Sequence, residues 1–164
     1  HFERSRPLRR GNTAAMRAVV QRVLEAGVAV EGEVVGAIGR GLLVYLGAAD
    51  GDDANDVEYV VQKIAGLRIF PDDRGRMSLG PAEVSAEILV VSQFTLFGDL
   101  RRGRRPSFDG AAAPERAEAL YLEVVERLRA LGFRVATGRF RADMRVSSVG
   151  DGPVTILLDS RKLF

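Results

Sequence analysis

The sequence has 164 residues, 46% of them hydrophobic and 28% charged, a balance that suits one globular domain with its own core and argues against a disordered chain. No apolar run approaches the roughly 20 residues that a membrane-spanning helix needs. The net charge of +2 is unevenly spread: the first fifteen residues, HFERSRPLRRGNTAA, hold four of the 24 basic and one of the 22 acidic residues, leaving 20 against 21 in the rest.

Residues 1–15 read as an N-terminal extension or leader, and residues 16–164 as the folded domain, with a native start at Met16. The leader is rich in arginine but lacks the apolar segment of a secretory signal. With no cysteine, disulfides, thiolate nucleophiles and Cys-ligated metals are excluded, and a cytoplasmic location is expected. His1 is the one histidine, so a domain starting at Met16 cannot hold a Ser-His-Asp triad or a histidine-ligated zinc. Neither Lys63 nor Lys162 stands in a GxxxxGK frame. No metal and no cofactor are expected.

In chain order, MRAVVQRVLEAGVAVEGEVVGAIG predicts successive short antiparallel strands with turns at Ala26-Gly27 and Glu31-Gly32. GLLVYLGAA predicts a buried central strand. A helix follows, with candidate caps at Asp52 and Asp53, apolar residues Val57, Val60, Val61 and Ile64 at helical spacing, and a stop at Gly66. FPDDRGRMS predicts a turn, AEILVVSQF a strand, and LRRGRRPSFDGAAAP a long loop. Pro114 suits the first turn of a second helix whose apolar stripe runs through Ala117, Leu120, Tyr121, Val124, Val125 and Leu128 and stops near Gly132. The last third returns to strands, broken at Gly138 and again at Gly150 to Pro153.

Three stretches carry candidate chemistry. In EILVVSQFTLFGD, an apolar strand suddenly bears Ser92, Gln93 and Thr95, and an unpaired polar group in a core costs about 1–3 kcal/mol. Such a cluster at a strand end suits ligand binding, while the bland alternative is side chains bonded to neighbouring backbone. In GDGPVT, Gly152-Pro153 reads as a tight turn that opens an apolar strand and can present carbonyls from a rigid base. In RRGRRPSF, Arg101, Arg102, Arg104 and Arg105 form a localised positive patch suited to phosphates, and Arg139, Arg141 and Arg145 surround Phe140, which can stack a base; solvated surface charge is the alternative.

These stretches, together with MRAVVQRV, GLLVYLG, KIAGLRIF, RPSF and DGPVT, closely resemble the D-aminoacyl-tRNA deacylase family from Met16 to about Ser160. The resemblance implies a single-domain, three-layer α/β fold with mixed or antiparallel sheets and two main helices, assembled as a homodimer with active sites at the subunit interface. It implies hydrolysis of the ester of D-aminoacyl-tRNA, with activity on mischarged glycine, and no membrane association. Gln93, Phe94 and Thr95 would carry catalysis, the oxyanion being held by main chain around Gln93 and Phe94, with help from the ribose 2′-OH. Ser92, Phe140, Met144 and a Gly152-cis-Pro153 element from the other subunit would bind substrate. Arg101, Arg102, Arg104 and Arg105 would bind tRNA. An aminoacyl ester is already activated, so positioning and oxyanion stabilisation suffice without histidine. Thr95 then positions substrate, since a Thr hydroxyl with no adjacent base is a weak nucleophile, with the nucleophile role as the lesser alternative. Two positions depart from the family pattern: Gly150 stands where Asn is usual, and Arg141 where Gly is usual. The alternatives are a tRNA-binding module, an L-amino-acid editing domain of related fold, and a general small-ester hydrolase, the last disfavoured for want of a nucleophile-base pair.

Overall fold

A computed structural model describes residues 15–164 of the protein. The leader assigned to residues 1–15 lies outside the described residues except for Ala15, which is fully buried, as is Met16. The elements are β1 (Arg17–Val30), β2 (Glu33–Ile38), β3 (Gly41–Gly47), α1 (Ala54–Ala65), β4 (Phe70–Pro71), β5 (Met77–Leu79), β6 (Glu87–Ser92), α2 (Pro114–Ala130), β7 (Val135–Thr137) and β8 (Arg145–Asp159). No helix among the described residues is long and apolar enough to cross a membrane.

β1 organises the sheet. One edge pairs antiparallel with β3 through its first half and with β2 through its second, and the other pairs antiparallel with β8 along almost its whole length. β3, β6 and β7 then run parallel, joined through the helices. The sheet curls until Arg134, just before β7, donates to the carbonyl of Ala37 in β2 at 3.2 Å, which nearly closes it. Alternation along the strands builds two cores: Leu42, Val44, Leu46, Ile88 and Val90 meet both helices on one face, while Leu43, Leu89 and Val91 meet Val23, Val28 and Ile38 on the other.

The first helix forms as its apolar spacing requires. Asp53 caps it in a reciprocal box with Asp56, and Gly66 ends it. Asp52 is not the cap: its carboxylate turns inward and accepts from the Ala49 N–H at 2.7 Å. α2 begins at Pro114 and buries Leu120, Tyr121, Val124, Val125 and Leu128.

Two expected turns are absent. Ala26-Gly27 lies inside β1, paired with Ile38 and Ala37 on one side and Ser148 and Ser147 on the other, so bonding on both edges holds it extended. Gly150 to Pro153 is not a turn either. β8 passes straight through it, but Gln21 faces Thr155 and Val23 faces Gly150, so Asp151 to Val154 bulge out without register partners on β1.

Candidate active site

β6 stops at Ser92 rather than running on to Phe94, because its partner runs out. Ser92 pairs with Leu46, the Gln93 N–H makes a last bond to the Leu46 carbonyl at 2.8 Å, and β3 ends at Gly47. The chain then tightens into a 3-10 turn over Phe94–Phe97. Gly47 makes room for it: a Cβ there would lie 2.8 Å from the Phe97 ring and 2.9 Å from the Gln93 carbonyl. Arg17 fastens the turn from β1, donating to the Leu96 carbonyl at 3.1 Å, with its guanidinium 5.4 Å from the Phe97 ring centre.

The turn buries Phe97 and exposes Phe94 and Thr95. Gln93 Nε2 donates to Thr95 Oγ1 at 2.9 Å, so amide and hydroxyl form one polar unit. The Gln93 N–H is spent on the sheet ladder, while the N–H groups of Phe94 and Thr95, first in a helical turn, have no acceptor inside it. Phe140 packs beside Tyr121, ring centres 6.2 Å apart, and the Tyr121 hydroxyl donates to the Val90 carbonyl two residues before Ser92. Burial pushes the Tyr121 phenol up to about 12, so it stays neutral. Met144 packs on the other core, and its sulfur accepts from the Arg139 N–H at 3.4 Å.

The Gly152-Pro153 peptide is cis and exposed on the bulge of β8. Arg22 holds the bulge. It stands on β1 two residues after Val20, where the stripe of Ala18 and Val20 would place another core residue, and is 9% exposed. Its guanidinium donates to the carbonyl of Asp151 at 3.1 Å and to that of Ile69 at 2.6 Å, and pairs with the Asp151 carboxylate at 3.2 Å. Sequence reasoning missed Arg22, although a charge within VVQRV was a visible signal. Gly152 has φ +130°, and a Cβ there would meet Val154 Cγ2 at 2.9 Å, so its own backbone already requires glycine, whatever occupies the space in front of it.

Within one chain the end of β6 and the bulge of β8 lie apart. β8, β1, β3 and β6 are lateral neighbours in that order, and the bulge opens opposite Arg22, whereas Ser92 lies in register with Leu46 and, through it, with Ala18. Four residues along β1 span about 13 Å, and the strands between add about 4.8 Å each.

The four arginines of the loop are all exposed, but they are not equivalent. Arg101 forms an ion pair with Asp99 at 2.7 Å and its hydrogen bonds hold the Asp99 carboxyl down at about 2, while Arg102, Arg104 and Arg105 form no ion pair among the described residues. Arg141 adopts φ 63°, a conformation glycine takes at no cost and other residues pay about 1–2 kcal/mol for, which fits the glycine expected there from the resemblance. It lines a 310 Å³ cavity with Phe140 and the start of α2. At Gly150 a side chain would meet open space, and the bulge is anchored by Arg22 instead.

Residues 19–159 match the model of the D-Tyr-tRNA(Tyr) deacylase family. The chain belongs to that family, one of hydrolases. It is 63% identical over 150 residues to the D-aminoacyl-tRNA deacylase of Sorangium cellulosum, covering 91% of this chain and 100% of that protein. It is 58% identical over 149 residues to the D-aminoacyl-tRNA deacylase of Thermotoga petrophila, with the same coverage. Among solved structures it resembles the c-Myc DNA Unwinding Element Binding Protein, with TM-score 0.82 and 43% identity over 87% of this chain and 97% of that one. A probable eukaryotic D-amino acid tRNA deacylase shares the fold, with TM-score 0.77 and 21% identity over 88% of this chain and 99% of that one.

Proposed function

We propose that this protein hydrolyses the ester of D-aminoacyl-tRNA, releasing D-amino acid and tRNA, as a cytoplasmic homodimer whose two sites each combine both subunits. The observation that carries it is the Gln93–Thr95 turn: unspent N–H groups at Phe94 and Thr95 beside an exposed hydroxyl, in a chain with no cysteine and no histidine among its described residues. Such a site can orient an activated ester and stabilise the oxyanion of its tetrahedral intermediate, the proton transfer being assisted by the ribose 2′-OH of the substrate. Thr95 positions the substrate, its hydroxyl being bonded to Gln93 and to no base. Ser92, Phe140 and Met144 complete the wall on the same subunit.

The facing wall is Gly152-Pro153 of a second copy. Among the described residues β8 has one edge unpaired, and Val149 and Leu157 of this strand are 44% and 53% exposed, which suits association of copies through it. The carbonyl oxygens of Gly152 and Pro153 accept from the α-ammonium of the substrate and leave no space for an L side chain, whereas a D side chain points outward and glycine has none to exclude. Mischarged glycine is therefore a substrate as well.

Incubating the protein with D-Tyr-tRNA and L-Tyr-tRNA and following ester loss tests this. Loss of the D ester alone is expected. Loss of the L ester alone would mark an L-editing domain, equal loss would remove chiral selection, and binding without turnover would leave a tRNA-binding module.

A further inference from the structure

Phe94 presents its ring to solvent, 58% exposed, from a turn whose other end is locked by the burial of Phe97 and by Arg17. The ring is nonetheless braced. An antiparallel bridge between Asp99 and Ser107 returns the chain alongside the turn, and Phe108 meets Phe94 at 5.1 Å with an interplanar angle of 73°. Gly98 lets this return strand close in, since a Cβ there would already touch Phe108 and Pro106 at 3.4 and 3.5 Å. An edge-to-face contact occupies at most one face of the Phe94 ring. The loop spanned by the bridge carries Arg102, Arg104 and Arg105, which form no ion pair among the described residues, Arg101 being tied to Asp99. A fixed aromatic plane adjoining a loop of unneutralised arginines is the combination that binds unpaired nucleotides: the ring takes a base, the cations follow the phosphates.

We propose, taking the ester-hydrolase function above as given, that the Phe94 side chain is a stacking platform for an unpaired base of the 3′ end of the RNA, with Phe108 as its brace and Arg102, Arg104 and Arg105 on the adjoining phosphates. The ester is joined to the terminal nucleotide of that end, and the N–H of the same residue faces the ester. One residue thus links the chemistry to the strand that delivers it. Backbone and ring do separate work, and only the ring is open to replacement.

The test uses an uncharged RNA hairpin with an unpaired 3′ tail, carrying 2-aminopurine at each of its last three positions in turn and titrated with the full chain. Stacking quenches the fluorophore. At one position the wild type is expected to quench, Phe94→Ala to lose the quench and bind the hairpin about 5- to 100-fold more weakly, and Phe94→Trp to restore both. Quenching at no position, or equal quenching with Phe94→Ala, overturns the platform. A change in sedimentation of Phe94→Ala also overturns it, marking the ring as a packing residue. D-Tyr-tRNA hydrolysis by the wild type is followed in parallel. Hydrolysis without a Phe94-dependent quench defeats the platform and leaves the hydrolase; a Phe94-dependent quench without hydrolysis defeats the hydrolase and leaves an RNA-binding surface.

Discussion

The end of β6 and the bulge of β8 are built in opposite ways. The first is made inside the sheet: a ladder bond fixes Gln93, the absence of a side chain at Gly47 admits Phe97, and Arg17 pins the turn, so its polar groups sit on a frame that one chain completes. The second projects from a sheet edge, unpaired over Asp151 to Val154, and hangs on one buried guanidinium, that of Arg22. The end of β6 is thus supported by the fold, whereas the bulge depends on one side chain.

The largest effect should come from that side chain. Arg22→Ala removes the donor to Ile69 and Asp151; stranding a buried carbonyl costs about 1–3 kcal/mol, and a bulge displaced by about 1 Å should lower hydrolysis of D-Tyr-tRNA about 100-fold. Thermal unfolding and kcat/KM on one preparation should both move. Thr95→Ala should separate the two regions: stability changes by no more than about 0.5 kcal/mol, because the side chain is exposed, while kcat/KM falls about 10- to 100-fold. An equal loss of stability in both variants would erase the contrast.

The contrast also shows what the sequence made legible. Helix spacing, the Asp53 cap, the stop at Gly66 and the buried β3 are local effects and follow from residues a few positions apart. So does the polar interruption at Ser92, Gln93 and Thr95. The continuity of β1 through Ala26-Gly27 was not legible, because one of the two partners that hold it straight is more than a hundred residues away in β8. Gly-Pro chemistry at 152 and 153 serves a turn or a bulge equally, and register with β1 decides between them. The arginine cluster read as four equal charges, whereas Asp99 claims Arg101 for a local ion pair.

Smaller effects sharpen this further. Replacing Arg102, Arg104 and Arg105 by Gln should flatten the salt dependence of tRNA binding, by about 0.7–0.9 in log-log slope for each phosphate that is no longer neutralised, similarly for different tRNAs. Replacing Arg101 alone should do less, since its charge is already paired. An unchanged slope would return the loop to solvated surface.

The smallest effect on hydrolysis is expected at Asp52, in the turn before α1. Burial lifts the Asp52 carboxyl from 3.8 to about 7, and its Oδ1 has no hydrogen-bond partner among the described residues. Since the folded state holds the proton more tightly than the unfolded one, the stability it lends is full below about pH 4 and is lost as pH rises through 7. Asp52→Asn keeps an acceptor for the Ala49 N–H without the charge. Its Tm should exceed the wild-type value at pH 8, with the gap closing as pH falls toward 4.

Mixed dimers test most directly whether the two walls come from different subunits. On the proposed shared-site reading, Thr95→Ala spoils the end of β6 and Arg22→Ala spoils the bulge, so each homodimer would have two crippled sites. In a mixed dimer, one site receives the intact end of β6 from the Arg22→Ala subunit and the intact bulge from the Thr95→Ala subunit. Refolding the two variants together at equal concentration should recover about a quarter of wild-type D-Tyr-tRNA hydrolysis, half the dimers being mixed and each of those holding one good site. Activity that stays at the level of the separate variants, in a sample shown to contain mixed dimers, would place both walls in one chain and contradict the shared site.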